Sequence, residues 1–175
     1  MIKGNVIGLR ALEPDDADML FGWENDEKLW HVSNTLAPYS RFAIEQYVLN
    51  CSADIYASRE LRLMITTLDG NISVGAVDLF EFDPLHLRAG IGIMVHEQYR
   101  TMGYAKEALS LMIGFCFRHL GLHQIYCNIS AGNETSIHLF RTHGFELAGR
   151  KKDWVRYNGK WQDELILQLF NTSLV

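Results

Sequence analysis

Hydrophobic and polar positions alternate from Asn5 to Leu12, which predicts an opening strand with one buried face. Pro14, Asp15 and Asp16 follow as a helix entry, because proline loses nothing in a first turn and carboxylates suit the positive end of the helix dipole. That helix runs to about Glu24. A second spans Ser40 to Cys51, capped by Ser40, with Ile44, Tyr47, Val48 and Cys51 on one face. The intervening Asn25 to Tyr39 is a long polar and aromatic connection, of a length often reserved for function. Two β-branched runs, Leu61 to Leu68 and Ile72 to Phe82, flank Asp69-Gly70-Asn71 and predict an antiparallel hairpin. Arg88 to Val95 is a further strand. Its Gly90 and Gly92 share one face, which marks a bulge or a close approach to the backbone.

Gly103 to Leu120 carries the clearest helical period, from Ala105 and Ala108 through Met112 and Cys116 to Leu120, and Gly121 closes it. His123 to Ser130 is another strand, so strand, helix and strand in succession imply a right-handed crossover and a parallel pair. Asn133 or Thr135 caps a shorter helix ending at Gly144. Trp154 to Tyr157 and Trp161 to Phe170 flank Asn158-Gly159, a hairpin signal. The order predicts one α/β domain over residues 1–175 with a mixed sheet and no internal repeat.

Composition narrows the function. The chain has 175 residues, 48% of them hydrophobic, and a formal charge of −5 with its basic residues dispersed, which excludes a nucleic-acid surface and suits cationic small molecules. Cys51, Cys116 and Cys127 form no metal-binding pair and predict reduced, buried thiols of a cytoplasmic protein. No secretory signal opens the chain and no apolar run reaches bilayer length, so no membrane partner is expected. The histidines form no metal motif, and zinc is not expected.

The chemistry concentrates at Arg100-Thr101-Met102-Gly103-Tyr104-Ala105, between the Gly-bearing strand and the long helix. Such a loop turns backbone N–H groups toward one point at a helix N-terminus, where a phosphate or pyrophosphate belongs. It lacks the lysine of a phosphate-binding P-loop and the glycine spacing of a dinucleotide site. After one helix and one strand comes the run from Asn133 to Phe145. With these motifs at this spacing the chain resembles the GNAT superfamily of acetyl-CoA-dependent N-acetyltransferases, from about Val6 to Leu169. Arg100, Gly103, Ala105, Asn133, Gly144 and Phe145 stand at matching positions. Within the superfamily, Leu9 to Asp16, Val77 to Ile93 and Asn158 to Phe170 are similar to the branch of spermidine/diamine and ribosomal-protein N-terminal acetyltransferases.

The resemblance implies a mixed, mostly antiparallel twisted sheet of about seven strands, with a parallel pair splayed at the coenzyme site, flanked by about four helices. It implies acetyl-CoA as acyl donor and a primary amine as acceptor, with a possible homo-oligomer. The loop from Arg100 to Ala105 would hold the pyrophosphate and Asn133, with Ser136, the pantetheine arm. Ile93, Met94 and Val95 would bond that arm through their main chain, Met94 or a neighbour donating an N–H to the thioester carbonyl. The sequence departs from its relatives twice: Gly90 stands where a glutamate base is common, and Phe140 where a tyrosine acid is. Asp78, Glu81, His96 and Glu97 remain candidate bases, Glu81 foremost, each also readable as a solvated side chain. Ser136 is a candidate acid or a first-turn cap. Trp30 and Tyr39, with Asp78 and Glu81, are candidates to hold the amine, the two aromatics by cation–π contact or merely as packing. A polyamine-like acceptor is expected ahead of protein N-termini; a coenzyme-binding sensor without turnover is the rival.

Overall fold

The computed structural model describes residues 1–33, 35–51 and 54–172. In chain order these form β1 (Ile2–Lys3), β2 (Ile7–Ala11), α1 (Ala17–Glu24), α2 (Trp30–Ser33), α3 (Arg41–Leu49), α4 (Ile55–Ser58), β3 (Leu61–Thr67), β4 (Ser73–Asp83), β5 (Arg88–Val95), α5 (Tyr104–Gly114), β6 (Gln124–Ser130), α6 (Glu134–Thr142), β7 (Glu146–Tyr157) and β8 (Lys160–Phe170). One sheet orders them β1-β2-β3-β4-β5-β6-β8-β7. Every pairing is antiparallel except β5 with β6, the pair joined through α5. The mixed sheet and its parallel pair are as the sequence predicts. The expected seven strands become eight because β1 is too short to show a period, and β7 starts at Glu146 rather than Trp154. Register shifts at Leu147/Gly149 and Lys151/Val155 scramble the alternation of β7 and hide it from a periodicity argument. Among the described residues no helix is long and apolar enough to cross a membrane.

Helices cover both faces. The larger core packs α5, its π-helical continuation Phe115–His119 and α6 on one face, through Ala108, Leu109, Met112, Cys116 and Phe140 against Val77, Leu79, Ile91 and Ile125. On the other face Leu20 and Trp23 of α1 and Ile44 and Val48 of α3 cover the row Met64, Ala76 and Met94. Arg10 fixes the start of α1 to the sheet: its guanidinium forks onto the buried Asp16 at 2.6 and 2.7 Å and donates to Ser73 Oγ at 2.8 Å. Burial disfavours the Asp16 charge, yet these bonds outweigh it and hold the carboxyl below its ordinary value.

The two glycines of β5 differ in purpose. Gly90 lies opposite Phe80, and a Cβ there would stand 2.5 Å from Phe80 Cζ and 2.7 Å from Cδ2, so the aromatic ring occupies the place of the missing side chain. The close approach expected at this glycine is thus made by Phe80. The bulge lies on the neighbouring strand: the ladder shifts between Phe80 and Asp83, with Glu81 held at φ 50°. Gly92, opposite Asp78, is open, its nearest would-be neighbours being Asp78 Cβ and Phe80 Cε1, both at 3.9 Å.

Gly90→Ala should therefore destabilise the fold by about 1–3 kcal/mol through overpacking, whereas Gly92→Ala changes stability by less than about 1 kcal/mol. Urea denaturation of the two variants, and of Gly90→Ala combined with Phe80→Leu, checks this. The double variant should recover part of the loss.

Candidate active site

The parallel pair is hydrogen-bonded only where Arg88, Ala89 and Gly90 meet Gln124, Ile125 and Tyr126. Beyond that point β5 stays with β4, β6 stays with β8, and a wedge opens between them. The register decides which main-chain groups line it. His96 N donates to Val74 O at 2.9 Å, in the same register that pairs Ala76 with Met94, so Met94 and Gly92 spend their backbone groups on β4. Alternation then turns the N–H and C=O of Ile93 and Val95 into the wedge. On the opposite wall Ala131 N donates to Asp163 O, which by the same argument turns the main chain of Asn128 inward. Of the three residues expected to offer backbone donors, Ile93 and Val95 face the opening; Met94 faces β4, because adjacent strand residues point their N–H groups to opposite sides.

At the wide end of the wedge stands the N-terminus of α5. Thr101 and Gly103 both have left-handed backbone, at φ 67° and 84°. No side chain caps the helix, and Gly103 has nothing within 4 Å of where a Cβ would be. The first-turn N–H groups are left to face an incoming anion, which the dipole favours. Arg100 Nε donates to Val95 O at 3.2 Å, tying this loop to the free edge of β5. Two braces fix the helix behind it. Glu107 accepts from the backbone N–H of Asn5 and, at 3.1 Å, of Val6. His143 Nε2 lies 3.0 Å from Lys106 O and 3.1 Å from Ser110 Oγ, joining the end of α6 to α5.

Asn133 caps α6, its Oδ1 accepting from Ser136 N at 3.1 Å, and its own N–H bonds Ser130 O at 2.8 Å. The cap thus starts directly at the end of β6, beside the wedge. The Ser136 hydroxyl makes no bond among the described residues. Phe140 is buried edge-to-face on Phe145, 5.0 Å between centroids, and serves the core.

On the face opposite α5, Arg62 binds two carboxylates, Asp78 through Nε at 2.6 Å and Nη2 at 3.1 Å, and Glu24 through Nη1 at 2.5 Å. Its charge centre lies 5.7 Å from the Tyr47 ring centroid. Burial pushes the Tyr47 hydroxyl up to about 12, so that ring stays neutral. Asp78 is level with Gly92, at the mouth of the wedge. Glu81 is elsewhere: it accepts from the Tyr126 hydroxyl at the closed end of the parallel pair, four residues or about 13 Å along the strand from the Met94 row. Burial, then the bond to Glu81, raises the Tyr126 hydroxyl. His96 stacks against Trp23 at 6.1 Å, and Glu97 pairs with Lys28 at 3.5 Å.

The connection after α1 meets the β7–β8 hairpin across a cleft of about 640 Å³ lined by Glu27, Trp30, Trp154, Trp161 and Glu164 among others. Trp30 is anchored there by Nε1 donating to Glu24 O at 3.0 Å. Tyr39 lies outside that lining; its backbone is clamped by the Asn25 side chain, at 2.8 and 3.1 Å. Sequence reasoning missed Arg62 and Asn128, while Glu24 was readable either as an attractor of a polyamine or as part of a solvated helix end. Counting alternation across paired strands would have placed Arg62 beside Asp78, and Asn128 two residues beyond Tyr126 on the same face.

A family model described as an acetyltransferase (GNAT) domain matches residues 7–146. The spermidine N(1)-acetyltransferase of Vibrio cholerae is 26% identical over 158 residues, covering 89% of this chain and 87% of that protein. Its counterpart from Escherichia coli is 28% identical over 173 residues, covering 97% and 89%. A crystal structure of the Vibrio cholerae spermidine N-acetyltransferase with CoA and spermine superposes with a TM-score of 0.84 at 24% identity, over 94% of this chain and 95% of that one, a likeness of fold.

Burial pushes the thiols of Cys116 and Cys127 up to about 12, which leaves neither as a thiolate at neutral pH. At pH 8 a water-soluble disulfide reagent should label Cys51 alone in the native protein and all three cysteines after unfolding. Rapid native labelling of Cys127 would contradict the packing described.

Proposed function

The chain belongs to the GNAT acetyltransferase family, and from that premise we propose that it moves the acetyl group of acetyl-CoA to the primary amine of a small polycation of the polyamine type, within one ternary complex. The observation that carries this reading is the wedge. An unpaired strand edge, offering Ile93 and Val95, runs straight to an uncapped helix N-terminus, and a pantetheine chain ending in a pyrophosphate has the same sequence of groups.

In this assignment the main chain from Arg100 to Ala105 holds the pyrophosphate, Ile93 and Val95 pair with the pantetheine amides, and Asn133 and Ser136 flank that arm. Acetyl-CoA supplies an activated acyl thioester. An N–H of the β5 edge polarises its carbonyl, a contribution of about 3 kcal/mol when preorganised. Asp78, oriented by the Arg62 fork, draws the ammonium to the open space over Gly92, with Glu24 adding a second carboxylate. The amine, with a pKa of about 10, sheds its proton through water on this carboxylate side before attack. Asp78 takes the place expected for Glu81. The departing thiolate, of pKa about 8.5, needs no strong acid; the Ser136 hydroxyl is the protic group left at that end, since Phe140 has none. The polyamine preference rests on the named relatives and on Asp78 and Glu24, two carboxylates that share the single Arg62 guanidinium on the acceptor side.

Free-thiol release from acetyl-CoA, measured against spermidine, putrescine, an aminoglycoside and peptides starting with Ala or Ser, tests the reading. Spermidine or putrescine should be turned over, and turnover of the peptides alone would reassign the enzyme to protein N-termini. Asp78→Asn should lower kcat/KM by about 10²-fold while Glu81→Gln stays within about threefold of wild type. Gly103→Val, forced into left-handed backbone, should weaken coenzyme A binding by at least about tenfold in calorimetry. Unchanged affinity would remove the pyrophosphate assignment.

A further inference from the structure

Lys151 and Glu164 face each other across β7 and β8, and Lys151 Nζ lies 2.8 Å from Glu164 Oε1. The same ammonium stands 4.8 Å from the centroid of the Trp154 ring. Glu164 and Trp154 both line the cleft between α2 and the β7–β8 hairpin. One carboxylate and one aromatic face therefore already hold an alkylammonium, and it belongs to the protein. The Glu164 side chain is only 12% exposed and that of Lys151 33%, so the pair is partly shielded from solvent.

We propose that this cleft is a second ammonium subsite of the acceptor, and that Lys151 is its resident competitor. The proposal rests on the amine-acetyltransferase reading. Glu164 pairs with Ser130, two residues or about 7 Å along β8 from Ile166, the partner of Asn128 at the wedge. The end-to-end length of a triamine such as spermidine exceeds that distance, so a polyamine acetylated at the wedge brings a further ammonium toward Glu164. Trp30, anchored on Glu24, forms the opposite wall, and the Glu27 carboxylate beside it makes no bond among the described residues. Arg156 also lines the cleft, so with Lys151 in place the nearby charges of Glu27, Glu164, Lys151 and Arg156 cancel. An incoming ammonium gains only what exceeds the bond Lys151 gives up. Removing the competitor should favour polycations, while a monoamine that fills the wedge alone gains nothing.

Spermidine and butylamine binding is followed by tryptophan fluorescence in the coenzyme-loaded protein, alongside kcat/KM, for wild type, Lys151→Met, Lys152→Met and Glu164→Gln. Methionine keeps an apolar stem against Trp154, and Lys152 is an exposed lysine next in sequence that serves as the charge control. Lys151→Met should tighten spermidine by about three- to tenfold and leave butylamine unchanged. Lys152→Met should change neither, and Glu164→Gln should weaken spermidine. No tightening in Lys151→Met, or an equal tightening in Lys152→Met, overturns the proposal. Absence of turnover with every amine would defeat the proposed function, while the fluorescence titrations would still decide the role of Lys151.

Discussion

The parallel contact between β5 and β6 closes over three residues and then stops, and the rest of the molecule is arranged around that short seam. Two parallel strands that part company leave unpaired backbone groups inside a protein, where an unmet N–H or C=O is costly. The fold keeps those groups open to a ligand instead of sealing them. It can do so because each strand keeps a longer antiparallel partner on its other side, β5 with β4 and β6 with β8, so the sheet does not depend on the seam for its integrity. Phe80, seated in the gap left by Gly90, closes the paired end.

From this opening the two faces acquire different tasks. On the side of α5 and α6 the packing is apolar and the helices are braced by Glu107 and His143, which gives the anion-facing loop a fixed position. On the side of α1 and α3 the small apolar patch ends at Met94, and beyond it the surface turns to Arg62, Asp78 and Glu24 and then to the tryptophans of the hairpin. In the proposed assignment a donor read mainly by main chain and an acceptor read mainly by side chains thus meet across one sheet. Acceptor chemistry can vary with little consequence for the donor.

Much of this was legible in the sequence. The long amphipathic helix, the Asp69-Gly70-Asn71 and Asn158-Gly159 turns, the Ser40 and Asn133 caps and the Arg100 to Ala105 loop are local signals, and each depends on a few neighbouring residues. What escaped depends on pairing between distant segments. The direction of the Met94 N–H follows from the β4 register, and the seat of Phe80 in Gly90 from a cross-strand contact. The displacement of Glu81 toward Tyr126 follows from a bulge that a single strand's alternation does not reveal. The cleft of Trp30 with Trp154 joins residues more than a hundred positions apart, and no spacing rule reaches that far.

In the proposed assignment Ile93 and Val95 act through peptide groups, so their identity matters less than their phase. Replacing either with another residue of similar bulk leaves the same N–H pointing into the wedge. Adding or deleting one residue between the β4–β5 turn and Val95 would rotate those groups onto β4 and present Met94 and Gly92 instead, with every side chain of the segment moved to the other face. The strand therefore carries its information as a count, and the changes it is least able to absorb are those of chain length.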